Sequence, residues 1–129
     1  MPLLTNVGRA EAMFGAELMF DTSTAEVEIP SIKVDKVADM TVWHGDVLSY
    51  TVTVTNLDAV VIAEDVVFTD TIDPTLAKLD VDSVYVDGVQ LTLGTDFTYN
   101  TTTGELEITA MPDIPVGDSY DVTFRVTKA

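Results

Sequence analysis

An all-β fold, an antiparallel sandwich of two sheets, is predicted by three observations. Residues 47–55 alternate strictly, with Leu48, Tyr50, Val52 and Val54 interleaved with Ser49, Thr51, Thr53 and Thr55, the period of a strand with one buried face. Residues 120–126 repeat the pattern, placing Tyr120, Val122, Phe124 and Val126 on one face. Between these runs lie short β-branched or aromatic segments separated by turn residues, with little helical periodicity, which is how a sandwich is written.

Taken in chain order, residues 5–14 read as a strand and residues 25–29 as another. A looser stretch, 15–24, joins them, and its Asp21-Thr22-Ser23-Thr24 marks a turn and restart. Met13, Phe14, Leu18, Met19 and Phe20 also suit a helical turn, but strand is the preferred reading. Asn56-Leu57-Asp58 turns the chain after the strand at 47–55, and residues 60–70 carry the next one, with Val66, Val67 and Phe68. Residues 83–91 form a hairpin around Asp87-Gly88, a dipeptide that tolerates positive φ. Residues 97–100 and 105–109 form a second hairpin across 101–104.

Composition narrows the function. At 129 residues and 47% hydrophobic content, the chain fills a single core without metals or disulfides. Cysteine is absent, so a small secreted domain of this kind would need another source of toughness, of which a covalent side-chain crosslink is one. Twenty-two acidic residues against 6 basic ones give a formal charge of -16, which argues against nucleic acid and anionic lipid as partners and otherwise describes a solvated acidic coat. No stretch has the unbroken apolar length of a membrane span, so membrane insertion is not expected. The first twenty residues lack a basic leader, and Arg9, Glu11 and Glu17 interrupt any apolar run, so no signal peptide is read there.

Residues 32–39 (Ile-Lys-Val-Asp-Lys-Val-Ala-Asp), then His44-Gly45-Asp46, then Tyr50-Thr51-Val52-Thr53-Val54-Thr55-Asn56, then Phe68-Thr69-Asp70-Thr71-Ile72 resemble the bacterial and archaeal cell-surface repeat catalogued as the domain of unknown function eleven. The resemblance covers most of residues 32–129 and implies an immunoglobulin-like sandwich on a cell surface. In that family the closing strands carry an Asn followed by small and apolar residues, then a polar turn and a Thr/Ala/Val-rich strand. Here that pattern stands at residues 4–12 and 21–29, ahead of the domain, and is missing after residues 126–129.

The chain is therefore expected to comprise a donor segment, 1–31, and an immunoglobulin-like acceptor domain, 32–129. In such a sandwich the first strand starts at one pole and the last ends at the other, about 30 Å away. Pro30 and Ser31 span only about 7 Å fully extended. The front hairpin is thus expected to continue into a second copy and complete it by strand addition. Donor and acceptor surfaces differ, so the contact does not close and builds a homopolymer. The bland alternatives are a hairpin that curls back with a different strand order, or a single repeat of a longer surface adhesin, acting as a spacer or binding module.

The resemblance also implies a self-formed isopeptide bond between a Lys on the first strand and an Asn on the last, promoted by an acid on a neighbouring strand. Lys36, Asn6 and Asp70 match these roles, with Lys33 as the fallback nucleophile, because alternation turns only one of the two lysines inward. The chemistry needs a neutral amine and a protonated acid, both favoured by burial. The competing reading makes Lys36 an exposed lysine paired with Asp35 or Asp39, and Asn6 a turn residue.

Other groups carry less. Asp70, Asp73, Asp80 and Asp82 offer oxygen ligands to calcium but lack the spacing of a calcium loop. His44, the only histidine, sits in a Trp-His-Gly-Asp turn and supports no catalytic triad, and Trp43 is expected to plug one end of the sandwich. Asn100-Thr101-Thr102 is a glycosylation sequon in a hairpin turn. The expected protein is a non-enzymatic extracellular or cell-surface filament subunit, without a required cofactor.

Overall fold

The computed structural model describes residues 3–28 and 31–129. Those residues contain strands and no helix, and the chain divides into two compact units, Met1–Ser31 and Ile32–Ala129.

The first unit is one long hairpin. Strands β1 (Leu3–Phe14) and β2 (Glu17–Glu28) pair antiparallel along their whole length, from Leu3 opposite Glu28 to Phe14 opposite Glu17. Gly15, at φ 66°, and Ala16 close a two-residue turn whose twist matches that of the strands. The loose connection expected over 15–24 is corrected: Asp21-Thr22-Ser23-Thr24 lies in the middle of β2, and the strand expected at 25–29 is its end, Ile29 lying outside the described residues. The Asp21 carboxylate still accepts a local bond from the Thr22 N–H, but a continuous partner in β1 outweighs that turn preference. The helical turn weighed for Met13 to Phe20 is absent for the same reason.

The second unit is a sandwich. Its larger sheet runs β3 (Ile32–Ala38), β4 (Val47–Asn56), β11 (Ser119–Lys128), β7 (Tyr85–Val86), β8 (Val89–Gln90), with β6 (Ala77–Leu79) also paired to β11. Its smaller sheet runs β5 (Phe68–Thr71), β10 (Glu105–Ile108), β9 (Phe97–Tyr99). The alternation read at 47–55 and 120–126 sets the register, since Val52 faces Val122 and Tyr50 faces Phe124. Those inward residues pack with Phe68, Ile72, Phe97, Leu106 and Ile108 into one core. Asp87 and Gly88 both take positive φ, the geometry of the tight turn read from that dipeptide.

The strand expected over 60–70 is shorter than read, since only Phe68–Thr71 pairs as β5. Asn56 explains the difference. Fully buried, it donates from its amide to the carbonyls of Val61 and Ile114 and accepts from the Asp58 N–H, so the backbone that follows β4 is tied to a side chain and its pairing is confined to a single bridge between Ala63 and Ile114.

Gly104 holds β5 and β10 together. It takes φ +78°, accepts from the Ile72 N–H, and approaches so closely that a Cβ would collide with the Ile72 carbonyl. Gly104→Ala is expected to lower stability by roughly 3 kcal/mol or more, combining left-handed strain with backbone displacement, a loss that denaturant unfolding of the pure protein will register.

Candidate functional site

Sheet register decides which lysine points into the sandwich. Ile32, Val34 and Lys36 stand opposite Asn56, Val54 and Val52 of β4, all buried, so these three β3 residues belong to the core-facing side. Lys33 and Asp35 stand on the other face and pair with each other at 3.3 Å. Lys36 is the inward lysine. On the smaller sheet, Asp70 stands opposite buried Leu106 and also turns inward.

These two side chains meet. Lys36 Nζ donates to Asp70 Oδ2 at 2.7 Å, linking the edge strand of one sheet to the edge strand of the other. The pairing of Lys36 with Asp35 or Asp39, weighed from sequence, is not what forms, since Asp39 accepts from the Ser49 N–H. An aromatic cradle lies beneath the ammonium, with the Tyr50 ring centroid 4.6 Å away and the Phe124 centroid 5.9 Å away. Alternation alone marks both rings as inward, but that they converge under Lys36 depends on how β11 pairs with β4.

The pair sits in an open flank. Asp70 is largely covered, its side chain 10% exposed, whereas that of Lys36 is 41% exposed. Beside it, core-facing Ile32 and Val34 remain 46% and 58% exposed. Two hollows extend from this point along the flank. One, about 210 Å³, is lined by Lys36, Trp43, Leu48, Tyr50, Ile72 and Leu76 among others. The other, about 170 Å³, is lined by Ile32, Val34, Val54, Val66, Val67 and Phe68 among others. Trp43 thus closes part of one end, packed against the core, and its buried indole N–H has no acceptor. Residues that register assigns to a core lie open to solvent, as on a sandwich short of a strand.

Asn6 belongs to the hairpin unit, on β1 opposite Ala25, and is exposed, as a strand residue and not a turn residue. Its face carries Leu4, Gly8, Ala10, Ala12 and Phe14 from β1 and Met19, Ser23, Ala25 and Val27 from β2, with charge at Glu17 beside the turn and at Asp21, mid-strand opposite Ala10. The opposite face mixes Thr5, Arg9, Glu11, Thr22, Thr24 and Glu26 with the exposed apolar side chains of Leu3, Val7, Met13, Leu18 and Phe20, and Arg9 is bridged to Glu11 at 3.1 Å. Large apolar side chains thus stand on both faces, and what sets the Asn6 face apart is the run of small residues around Asn6: Gly8, Ala10, Ala12, Ser23 and Ala25.

The aspartates proposed for calcium are not gathered into one site. Asp70 pairs with Lys36, Asp80 with Arg125 at 2.9 Å, and Asp73 accepts from the Thr75 hydroxyl and N–H, which hold its carboxyl below the usual range. Asp82 is exposed, and its N–H donates to Asp80. Among the described residues no group of three or more metal-ligating side chains converges. His44 lies exposed in its loop, its backbone N–H donating to the Met40 sulfur, and the Asn100 side-chain Oδ1 caps its own turn by accepting from the N–H groups of Thr102 and Thr103. No family model, curated protein or solved structure matches this chain.

Proposed function

We propose that this protein is the structural subunit of an extracellular filament or appendage, in which the hairpin of one copy completes the sandwich of the next and an isopeptide bond seals the junction. The observation that carries this reading is the open flank: Ile32 and Val34 face the core by register yet remain about half exposed, beside an inward Lys36–Asp70 pair. The hairpin supplies the complement. An isolated two-stranded ribbon is marginal in water, and this one presents a largely apolar face whose one amide side chain is Asn6.

In the junction, the neutral Lys36 amine attacks the Asn6 side-chain carbonyl carbon. The new C–N amide bond forms and the bond to the original amide nitrogen breaks. Asp70 first hydrogen-bonds the carbonyl as an acid, and it then relays the proton lost by the lysine nitrogen to the departing nitrogen, which leaves as ammonia. The arriving strand would also cover Lys36, giving the burial that a neutral amine requires. The purified protein is expected to form filaments by electron microscopy and, after boiling in detergent, a ladder of covalent multiples, each junction lighter by about 17 Da, the mass of the ammonia released. A strictly monomeric protein of unreduced mass would sink this reading in favour of a repeat module of an adhesin.

A further inference from the structure

We infer that the donated strand enters the flank in one direction and one register: β1 of the donor runs antiparallel beside β3 of the acceptor, with Leu4 in the hollow beside Trp43, Asn6 at Lys36, and Gly8 and Ala10 over Val34 and Ile32. This rests on the assembly proposed above and adds to it the seat of each donor residue. Direction follows from connectivity. Each hairpin leads into its own β3 at Ile32, so in a head-to-tail series it enters the next copy by the opposite pole, where Trp43, Ile72 and Leu76 line the larger hollow. The hairpin base then lies at the entrance and the Gly15 tip points toward the Ile32 end, opposite to the run of β3.

Register follows from the reacting groups. With Asn6 at Lys36, same-face residues step by about 6.8 Å along the strand. Leu4 falls one step toward the entrance, and Gly8 and Ala10 fall one and two steps deeper. Side-chain size agrees at each place. The leucine meets the hollow of about 210 Å³, while the residues lacking bulk meet the smaller one of about 170 Å³, lined by the β-branched side chains of Ile32, Val34, Val66 and Val67.

The chain has no cysteine, so single thiols test the placement without background. Leu4→Cys subunits co-assembled with Leu76→Cys subunits, and Ala10→Cys with Val34→Cys, are treated with a short bifunctional thiol reagent, and linked peptides are identified by mass spectrometry. Both pairings are expected to link at least tenfold more than the exchanged pairings, Leu4→Cys with Val34→Cys and Ala10→Cys with Leu76→Cys. Filaments in which the exchanged pairings dominate, or in which none links, overturn the register while leaving assembly intact. Absence of filaments in the unmodified protein strikes the assembly itself. Emission of Trp43, the sole tryptophan, supplies a readout free of substitutions. It is expected to shift between monomer and filament, and an unchanged spectrum overturns the placement of Leu4.

Discussion

Deleting residues 1–30 is expected to yield a folded sandwich that no longer polymerises and is less stable than the assembled protein. Its core cluster lies wholly within residues 32–129, so the domain keeps its fold. What it loses is cover for the flank. Burial of the exposed halves of Ile32 and Val34 alone is worth about 2–3 kcal/mol, from about 1.5–3 kcal/mol for burying each such side chain completely. For a domain of this size that corresponds to a melting point roughly 10–20 °C lower. A peptide of residues 3–28 added in trans should restore stability by mass action, by about 2.7 kcal/mol at a hundredfold excess over its dissociation constant. Thermal melts with and without peptide, paired with electron microscopy, check this. Filaments formed by the truncated protein would exclude hairpin donation.

Asp70→Ala is expected to separate assembly from crosslinking. The substitution removes the group placed to protonate the Asn6 carbonyl and relay the lysine proton, and general acid–base catalysis of this kind is worth about 10²–10⁴ in rate. It leaves the apolar surfaces of flank and hairpin unchanged. Filaments should therefore still form, but boiling in detergent should return monomers of full mass. Asp70→Asn should behave alike, because it keeps the shape of the side chain and one oxygen to accept from Lys36 but can neither carry nor relay the proton. A boiling-resistant ladder surviving in either variant would rule out Asp70 as the promoting acid, and survival in Lys36→Arg would rule out Lys36 as the nucleophile.

Strict alternation makes two of the central strands legible in the sequence. Leu48, Tyr50, Val52 and Val54 on β4, and Tyr120, Val122, Phe124 and Val126 on β11, all turn toward the core, since the period of a strand is a property of its backbone. The Asp87-Gly88 turn is equally legible, because few residues accept positive φ. Three features are not. The run at 60–67 has the residues of a strand but follows Asn56, whose buried amide captures neighbouring carbonyls. The segment 21–24 has the residues of a turn but pairs across to β1. Strand β6 is three residues long and carries no periodicity to read.

Backbone period and local turn chemistry act within a few residues, and they suffice for the all-β class, the two inward faces at the centre of the larger sheet, and the alternation that sets Lys33 and Lys36 on opposite faces. Tertiary packing alone selects which lysine faces inward, brings Asp70 within 2.7 Å of it, lays Tyr50 and Phe124 beneath it, and leaves Ile32 and Val34 open to solvent on a core-facing side. Lys36 and Asp70 stand 34 residues apart in sequence. Their meeting depends on how β3 registers against β4 and how the edge of one sheet falls against the edge of the other. That arrangement is set by packing of the whole core, and no local pattern encodes it.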